Sequence, residues 1–231
     1  MNVHKRLLHP VSTLLETVEV ETGRNPAASV IWLHGLGADG HDFEPAVPEL
    51  ARPGERALRF VFPHAPVRPV TLNNGYEMRA WYDIIGIDRQ SRQDEVGIRG
   101  SAAAIQALIA RENARGIAAG RIVLAGFSQG GAMALFTGLR YPETLAGIIG
   151  LSCYPVLAST LDAEREAANQ KTPIFLAHGT FDPMIEVALG QEGRKLLEAR
   201  GYNVEWHTYP MPHSVSPEEI EAIGTWLRRV L

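Results

Sequence analysis

The sequence predicts an α/β protein with a mostly parallel central sheet and helices on both faces, and three observations point there. Short runs rich in Val, Ile and Leu alternate with amphipathic stretches. The runs are apolar almost throughout, the mark of strands buried on both sides rather than half-exposed ones. A chain of 231 residues with 45% hydrophobic content supplies one sizeable core, so residues 1–231 are expected to form a single domain.

Taken in order, Thr17-Val-Glu-Val-Glu and Ser29-Val-Ile-Trp-Leu flank the turn Gly23-Arg-Asn-Pro and read as an antiparallel edge hairpin. Val30–Leu33 and Leu58–Phe62 follow as central strands. The stretch from Pro63 to about Asp94 is the longest irregular segment. It holds the turn Asn73-Asn-Gly and the aromatic run Met78-Arg-Ala-Trp-Tyr-Asp, and a loop of that length is often functional. Ile98, Ala102, Ile105 and Ile109 recur at helical spacing. Ile122–Ala125, Ala146–Leu151, Ile174–Ala177 and Val204–Tyr209 supply further strands. Ile220, Ile223, Leu227 and Val230 mark a last helix, started by Ser216 as cap, Pro217 at its first position and Glu219 completing a capping box.

Composition removes several functional classes. The net charge is −4 and the 22 Lys and Arg are scattered, so no basic stripe awaits a phosphate backbone and nucleic acid is not an expected partner. No run of eighteen apolar residues occurs, and Met1–Val11 lacks a signal-type apolar stretch, so no membrane span is expected and a cytoplasmic location is. The lone Cys153 excludes an internal disulfide, and no zinc-ligand spacing or nucleotide-binding loop is present. No metal or cofactor is expected, and chemistry would come from side chains alone. Oligomeric state is left open, with Trp206 or Trp226 as aromatic surface for a homodimer.

One candidate centre stands out. Gly126-Phe-Ser-Gln-Gly-Gly follows the strand Arg121–Ala125 and precedes the helical stretch Gly131–Arg140. A sharp strand-to-helix turn needs glycines beside its serine, and the helix start directs unpaired N–H groups to where an oxyanion would form. Ser128 is therefore either a nucleophile or a residue of a Gly-rich turn, and partners following in the order acid, histidine would favour the first. Asp162 lies in a charged stretch that reads as a solvated helix start. Asp182 leaves the carboxyl end of the run Ile174–Gly179, where ligands gather in open α/β sheets, although Pro183 after it also suits a helix cap. Of eight histidines, order removes His4, His9, His34, His41 and His64; His178 ends a strand and His207 lies within one. His213 sits in the proline-stiffened Tyr209-Pro-Met-Pro-His-Ser, a base or an ordinary surface histidine. Apolar loop residues near the same edge, Leu36, Leu72, Met78, Trp81 and Met184, are candidates for an acyl pocket, with Trp81 and Tyr82 equally able to serve as core or dimer contacts.

With those motifs in place the chain resembles a bacterial carboxylesterase of the acyl-protein thioesterase and phospholipase/carboxylesterase family, within the α/β-hydrolase fold. The matching segments are Leu33-His-Gly-Leu-Gly-Ala-Asp-Gly, Pro69-Val-Thr-Leu-Asn-Asn-Gly, Met78-Arg-Ala-Trp-Tyr-Asp-Ile, Gly126-Phe-Ser-Gln-Gly-Gly-Ala-Met-Ala, His178-Gly-Thr-Phe-Asp-Pro and Tyr209-Pro-Met-Pro-His-Ser-Val. The resemblance implies a triad of Ser128, Asp182 and His213, with the backbone amides of Leu36 and Gln129 as oxyanion donors; no separate lid domain is visible in the sequence. It implies a serine hydrolase acting through an acyl-enzyme, and the lack of any inserted lid segment in the sequence leads to the expectation of an open groove and of a serine esterase for small-molecule, short- to medium-chain carboxylic esters. The alternative is an acyl-protein thioesterase or lysophospholipase, and a non-catalytic binder on the same scaffold is a third reading. Met184-Ile-Glu186 departs from the small apolar residues many relatives carry after the Asp-Pro pair. Glu186 would bear on the rim or a dimer surface, not on Asp182.

Overall fold

The computed structural model describes residues 14–52, 54–86 and 92–231. The Met1–Val11 stretch and part of the segment between Pro63 and Asp94 lie outside them. The chain runs β1 (Thr17–Glu21), β2 (Ala28–Leu33), α1 (Val47–Leu50), β3 (Leu58–Pro63), β4 (Val67–Val70), β5 (Tyr76–Arg79), α2 (Glu95–Ala114), β6 (Ile122–Phe127), α3 (Gln129–Leu139), β7 (Gly147–Leu151), α4 (Leu161–Glu164), β8 (Ile174–Gly179), α5 (Val187–Glu198), β9 (Val204–Tyr209) and α6 (Pro217–Val230). Seven strands form one sheet in the order β1-β3-β2-β6-β7-β8-β9, and every neighbouring pair is parallel except β1 with β3. The predicted central strands are all present.

Alternating side chains of these strands feed two apolar layers. Ile31, Leu33, Leu124 and Ile148 join Ile98, Ile105 and Ile109 of α2 and the apolar residues of α3 on one face. Val30, Trp32, Val123 and Ile149 join Leu50 of α1 and Ile223, Trp226 and Leu227 of α6 on the other. Continuous apolarity along each strand is thus what a sheet covered on both sides requires.

The expected hairpin between the first two strands does not form. β1 is an edge strand antiparallel to β3, not to β2, because β2 is fully buried with β3 and β6 along its two sides. β1 is half-exposed, and its Glu19 and Glu21 meet Arg111, Arg115 and Arg59, contacts open to an edge strand and closed to a central one. The long irregular segment is also more regular than expected. β4 and β5 pair antiparallel within it, and the connection closes through Asn74 and Gly75, both at positive φ.

At the far end the start of α6 is half as predicted. Ser216 Oγ accepts from Glu219 N at 3.2 Å and Pro217 takes the first turn. The reciprocal half of the box is missing: Glu219 is buried, and neither carboxyl oxygen reaches hydrogen-bonding geometry with the nearby Ser216 amide or any other partner among the described residues. Trp226, offered as dimer surface, is only 1% exposed and belongs to the core. Trp206 is half-buried beside His178. Cys153 is buried against the sheet, and burial pushes its thiol up to about 12. Iodoacetamide at pH 8 is therefore expected to leave it unmodified in the native protein and to label it in denaturant. Equal labelling rates would contradict this burial.

Candidate active site

The site lies at the carboxyl ends of the central strands. β6 ends at Phe127, α3 begins at Gln129, and Ser128 alone makes the turn at φ 54° and ψ −120°. That backbone is unusual for a residue with a side chain and is held by the Ser128 amide donating to Leu151 O at 2.8 Å. Only glycine fits on either side. A Cβ on Gly126 would stand 2.3 Å from the Gly130 carbonyl, and one on Gly130 would stand 2.2 Å from Leu33 O. Both collisions are with backbone, which no rotamer change relieves.

Two further loops converge on the serine. β8 runs into Asp182 and β9 into His213, and the Thr180 and Phe181 amides tie these loops together by donating to Tyr209 O and Met211 O. Asp182 does not cap α5, which starts five residues later behind Glu186. Its Oδ1 instead accepts from the Met184 and Ile185 amides at 2.9 Å each, an Asx-type turn that leaves Oδ2 free to receive His213 Nδ1 at 2.6 Å. With Nδ1 donating to a carboxylate, Nε2 is the acceptor for Ser128 Oγ, 2.9 Å away. The Asp182 side chain is fully buried and that of His213 is 9% exposed, so water competes little for these bonds. The His213 ring also rests on Phe127, with centroids 4.7 Å apart.

Of the two amides named as oxyanion donors, one follows Ser128 directly in the chain and the other belongs to a loop packed against it. A Cβ on Gly35 would lie 3.6 Å from Ser128 Cβ, so the loop leading into Leu36 abuts the serine. Neither the Leu36 nor the Gln129 amide donates a hydrogen bond among the described residues.

Three further side chains support the site: His178, a packed and hydrogen-bonded histidine as its strand-end position suggests, and His34 and Gln129, whose side-chain roles the sequence does not reveal. His34 was set aside on order alone, yet its Nε2 accepts from the Ala65 amide and its Nδ1 donates to Gly35 O, pinning the Leu36 loop to the strand end. Burial pushes its imidazole down to about 4, so it stays neutral in that role. His178 donates through Nε2 to Ile185 O and holds the Asp182 loop, and burial lowers its basicity too. Gln129 was read only as a backbone donor; its side chain accepts from Trp81 N at 2.8 Å and donates to Tyr82 O at 2.7 Å. Position gave the only available signal, since His34 and His178 each close an apolar run. Gln129→Ala would leave the buried Trp81 N–H unpaired, an expected loss of about 1–3 kcal/mol and a fall in Tm of about 2–10 °C. An unchanged melting curve would show the clamp to be dispensable.

The pocket candidates are scattered. Trp81 is fully buried, its indole donating to His34 O, so it supports the loop rather than offering surface to an acyl chain. Leu72 and Met184 are exposed. Met78 is half-buried near Gly37, with Asn73 Nδ2 on its sulfur. Glu186 is exposed and makes no side-chain cap. A groove of about 940 Å³ adjoins the site instead on the His213 and Phe127 side, between residues 42–52 and 213–221.

A serine on a strained strand-to-helix turn of a mostly parallel, doubly covered sheet defines the class: a serine hydrolase of the α/β-hydrolase fold. Residues 15–231 match the phospholipase/carboxylesterase family, and the chain belongs to that family. Acyl-protein thioesterase 1 of Neurospora crassa is 46% identical over 87% of this chain and 85% of its own length. The protein of that name from Mycosarcoma maydis is 37% identical over 95% and 98%. The crystal structure of Zea mays acyl-protein thioesterase 2 superimposes with a TM-score of 0.83 at 30% identity, covering 93% of this chain and 98% of that one. These relatives are fungal and plant, so the resemblance holds at the level of the family and its bacterial qualifier is not supported. The protein is thus an enzyme, a carboxylic ester hydrolase, and among the described residues no helix is long and apolar enough to cross a membrane.

Proposed function

We infer that the enzyme cleaves acyl thioesters and esters through Ser128, His213 and Asp182, with acylated protein cysteines as the substrate class. The observation that carries the chemistry is the hydrogen-bonded series from Ser128 Oγ through His213 to a buried Asp182 carboxylate. His213 Nε2 takes the serine proton as Oγ bonds to the acyl carbon, and Asp182 holds the imidazole in that tautomer and offsets its charge. The Leu36 and Gln129 amides receive the oxyanion, a donor of this kind lowering the barrier by about 3–4 kcal/mol. Collapse breaks the carbon–sulfur or carbon–oxygen bond, and the same proton passes from Nε2 to the leaving atom. Water, deprotonated by His213, then releases the acid and restores the serine.

The thioester preference rests on likeness to proteins named acyl-protein thioesterases, at 46% and 37% identity over most of the chain. Short- to medium-chain aryl esters would be turned over by the same apparatus. The test is a comparison of kcat/KM for S-octanoyl peptides, 4-nitrophenyl esters from acetate to palmitate, and lysophosphatidylcholine. Peptide thioesters exceeding the best aryl ester would support the reading. Aryl esters alone being hydrolysed would make the protein a plain carboxylesterase.

A further inference from the structure

We propose that the groove beside His213 binds the leaving-group side of the substrate and selects a cationic peptide. This inference rests on the thioesterase reading for its natural substrate, and on geometry for the subsite. In acylation the leaving atom must come within hydrogen-bond reach of His213 Nε2, which protonates it. The rest of the leaving group therefore lies against whatever surface adjoins that imidazole. His213 and Phe127 are themselves walls of the groove, and Phe43, Val215 and Ile220 continue it as an apolar channel. Its volume of about 940 Å³ matches a few residues of extended peptide rather than a methyl or ethyl alcohol.

Charge then chooses among leaving groups. The groove is lined by the carboxylates of Asp42, Glu49 and Glu221 against one guanidinium, Arg52. Arg52 is committed to Glu221 at 3.5 Å, which leaves Asp42 and Glu49 without an ion-pair partner among the described residues. Coenzyme A or glycerophosphocholine would bring phosphate against these carboxylates. Lysine or arginine flanking an acylated cysteine would bring the complementary charge, and its aliphatic stem would lie along the apolar wall.

The experiment reads the subsite separately from the chemistry. Two heptapeptides carry Ala where the acylated cysteine would be, so neither has the thiol that the reaction releases; one has Lys and the other Glu at the flanking positions. Each is tested as an inhibitor of 4-nitrophenyl butyrate hydrolysis at low salt, with glycerophosphocholine as a third probe. The Lys peptide is expected to inhibit competitively with a Ki about tenfold below that of the Glu peptide, and physiological salt should shrink the ratio. In the Asp42→Asn, Glu49→Gln double variant the ratio should fall to about two, and Glu49→Lys should favour the Glu peptide. Equal Ki values, tighter inhibition by the Glu peptide or glycerophosphocholine, or a ratio unmoved by these variants overturns the proposal. Should the Ki order hold while S-octanoyl peptides go unhydrolysed, the subsite stands and the thioesterase reading falls.

Discussion

Ser128→Ala and His213→Ala are each expected to lower kcat toward an activated ester by about five to six orders of magnitude, and the double variant by scarcely more. The reason is geometric. Ser128 Oγ lies 2.9 Å from the one nitrogen that can accept its proton, and each group is idle without the other. Asp182→Asn should cost about four orders, because an amide in place of the carboxylate would favour the tautomer that carries its proton on Nε2 and cannot accept from serine. A fluorophosphonate probe should label the wild-type protein once, at Ser128, and fail on the Ser128→Ala and His213→Ala variants. Additive losses, or full labelling of His213→Ala, would break the pairing. Melting curves supply the control, since Ser128 sits in a turn fixed by its own amide and by glycine backbone, none of which the alanine disturbs.

The strands that form the sheet were legible because burial on both faces writes itself as unbroken apolar runs, and Ile174–Gly179 needed no partner to be recognised. Pairing was not legible. Nothing in Thr17–Glu21 names β3 rather than β2 as its neighbour; that follows from β2 having both sides occupied, a property of the assembled sheet. The Asn74-Gly75 turn was readable, but β4 and β5 are only four residues each and Pro69 interrupts the first, so local pattern fell short. In the site, Ser128, Asp182 and His213 stood out because each follows a strand, in the chain order serine, acid, histidine. Trp81 stayed open between pocket and core because an aromatic in a loop looks the same in sequence whether it faces substrate or, as here, donates to His34 O in the core. The roles of His34 and Gln129 depend on side chains accepting from backbone amides 31 and 48 residues away, a separation no local motif records.

Glu219→Gln is expected to stabilise the protein increasingly as pH rises, by about 2–4 kcal/mol at pH 8 relative to its effect at pH 4. The carboxyl is buried in the first turn of α6, and burial, only partly offset by the nearby Ser216 amide, pushes it up to about 8. In the unfolded chain the same group titrates near its ordinary value of 4.5. Between those two values the native state holds a proton that the unfolded state has released, so stability falls with rising pH throughout the window. Below it both states are protonated and no penalty exists; above it the full penalty applies. Glutamine keeps the shape of the neutral acid and cannot ionise, so the difference between variant and wild type isolates this one group. Any constant cost of placing an amide there cancels in the pH dependence. A difference in unfolding free energy that stays flat from pH 4 to pH 8, by urea titration, would show that Glu219 ionises in the folded protein as freely as in water. The slope matters to function because Glu219 follows His213 by six residues, through the loop that Ser216 caps onto α6. A charge forced into that turn would first loosen the segment that holds the imidazole against Ser128. Activity toward a non-ionising ester should therefore decline above pH 8 in the wild type and be better retained in Glu219→Gln.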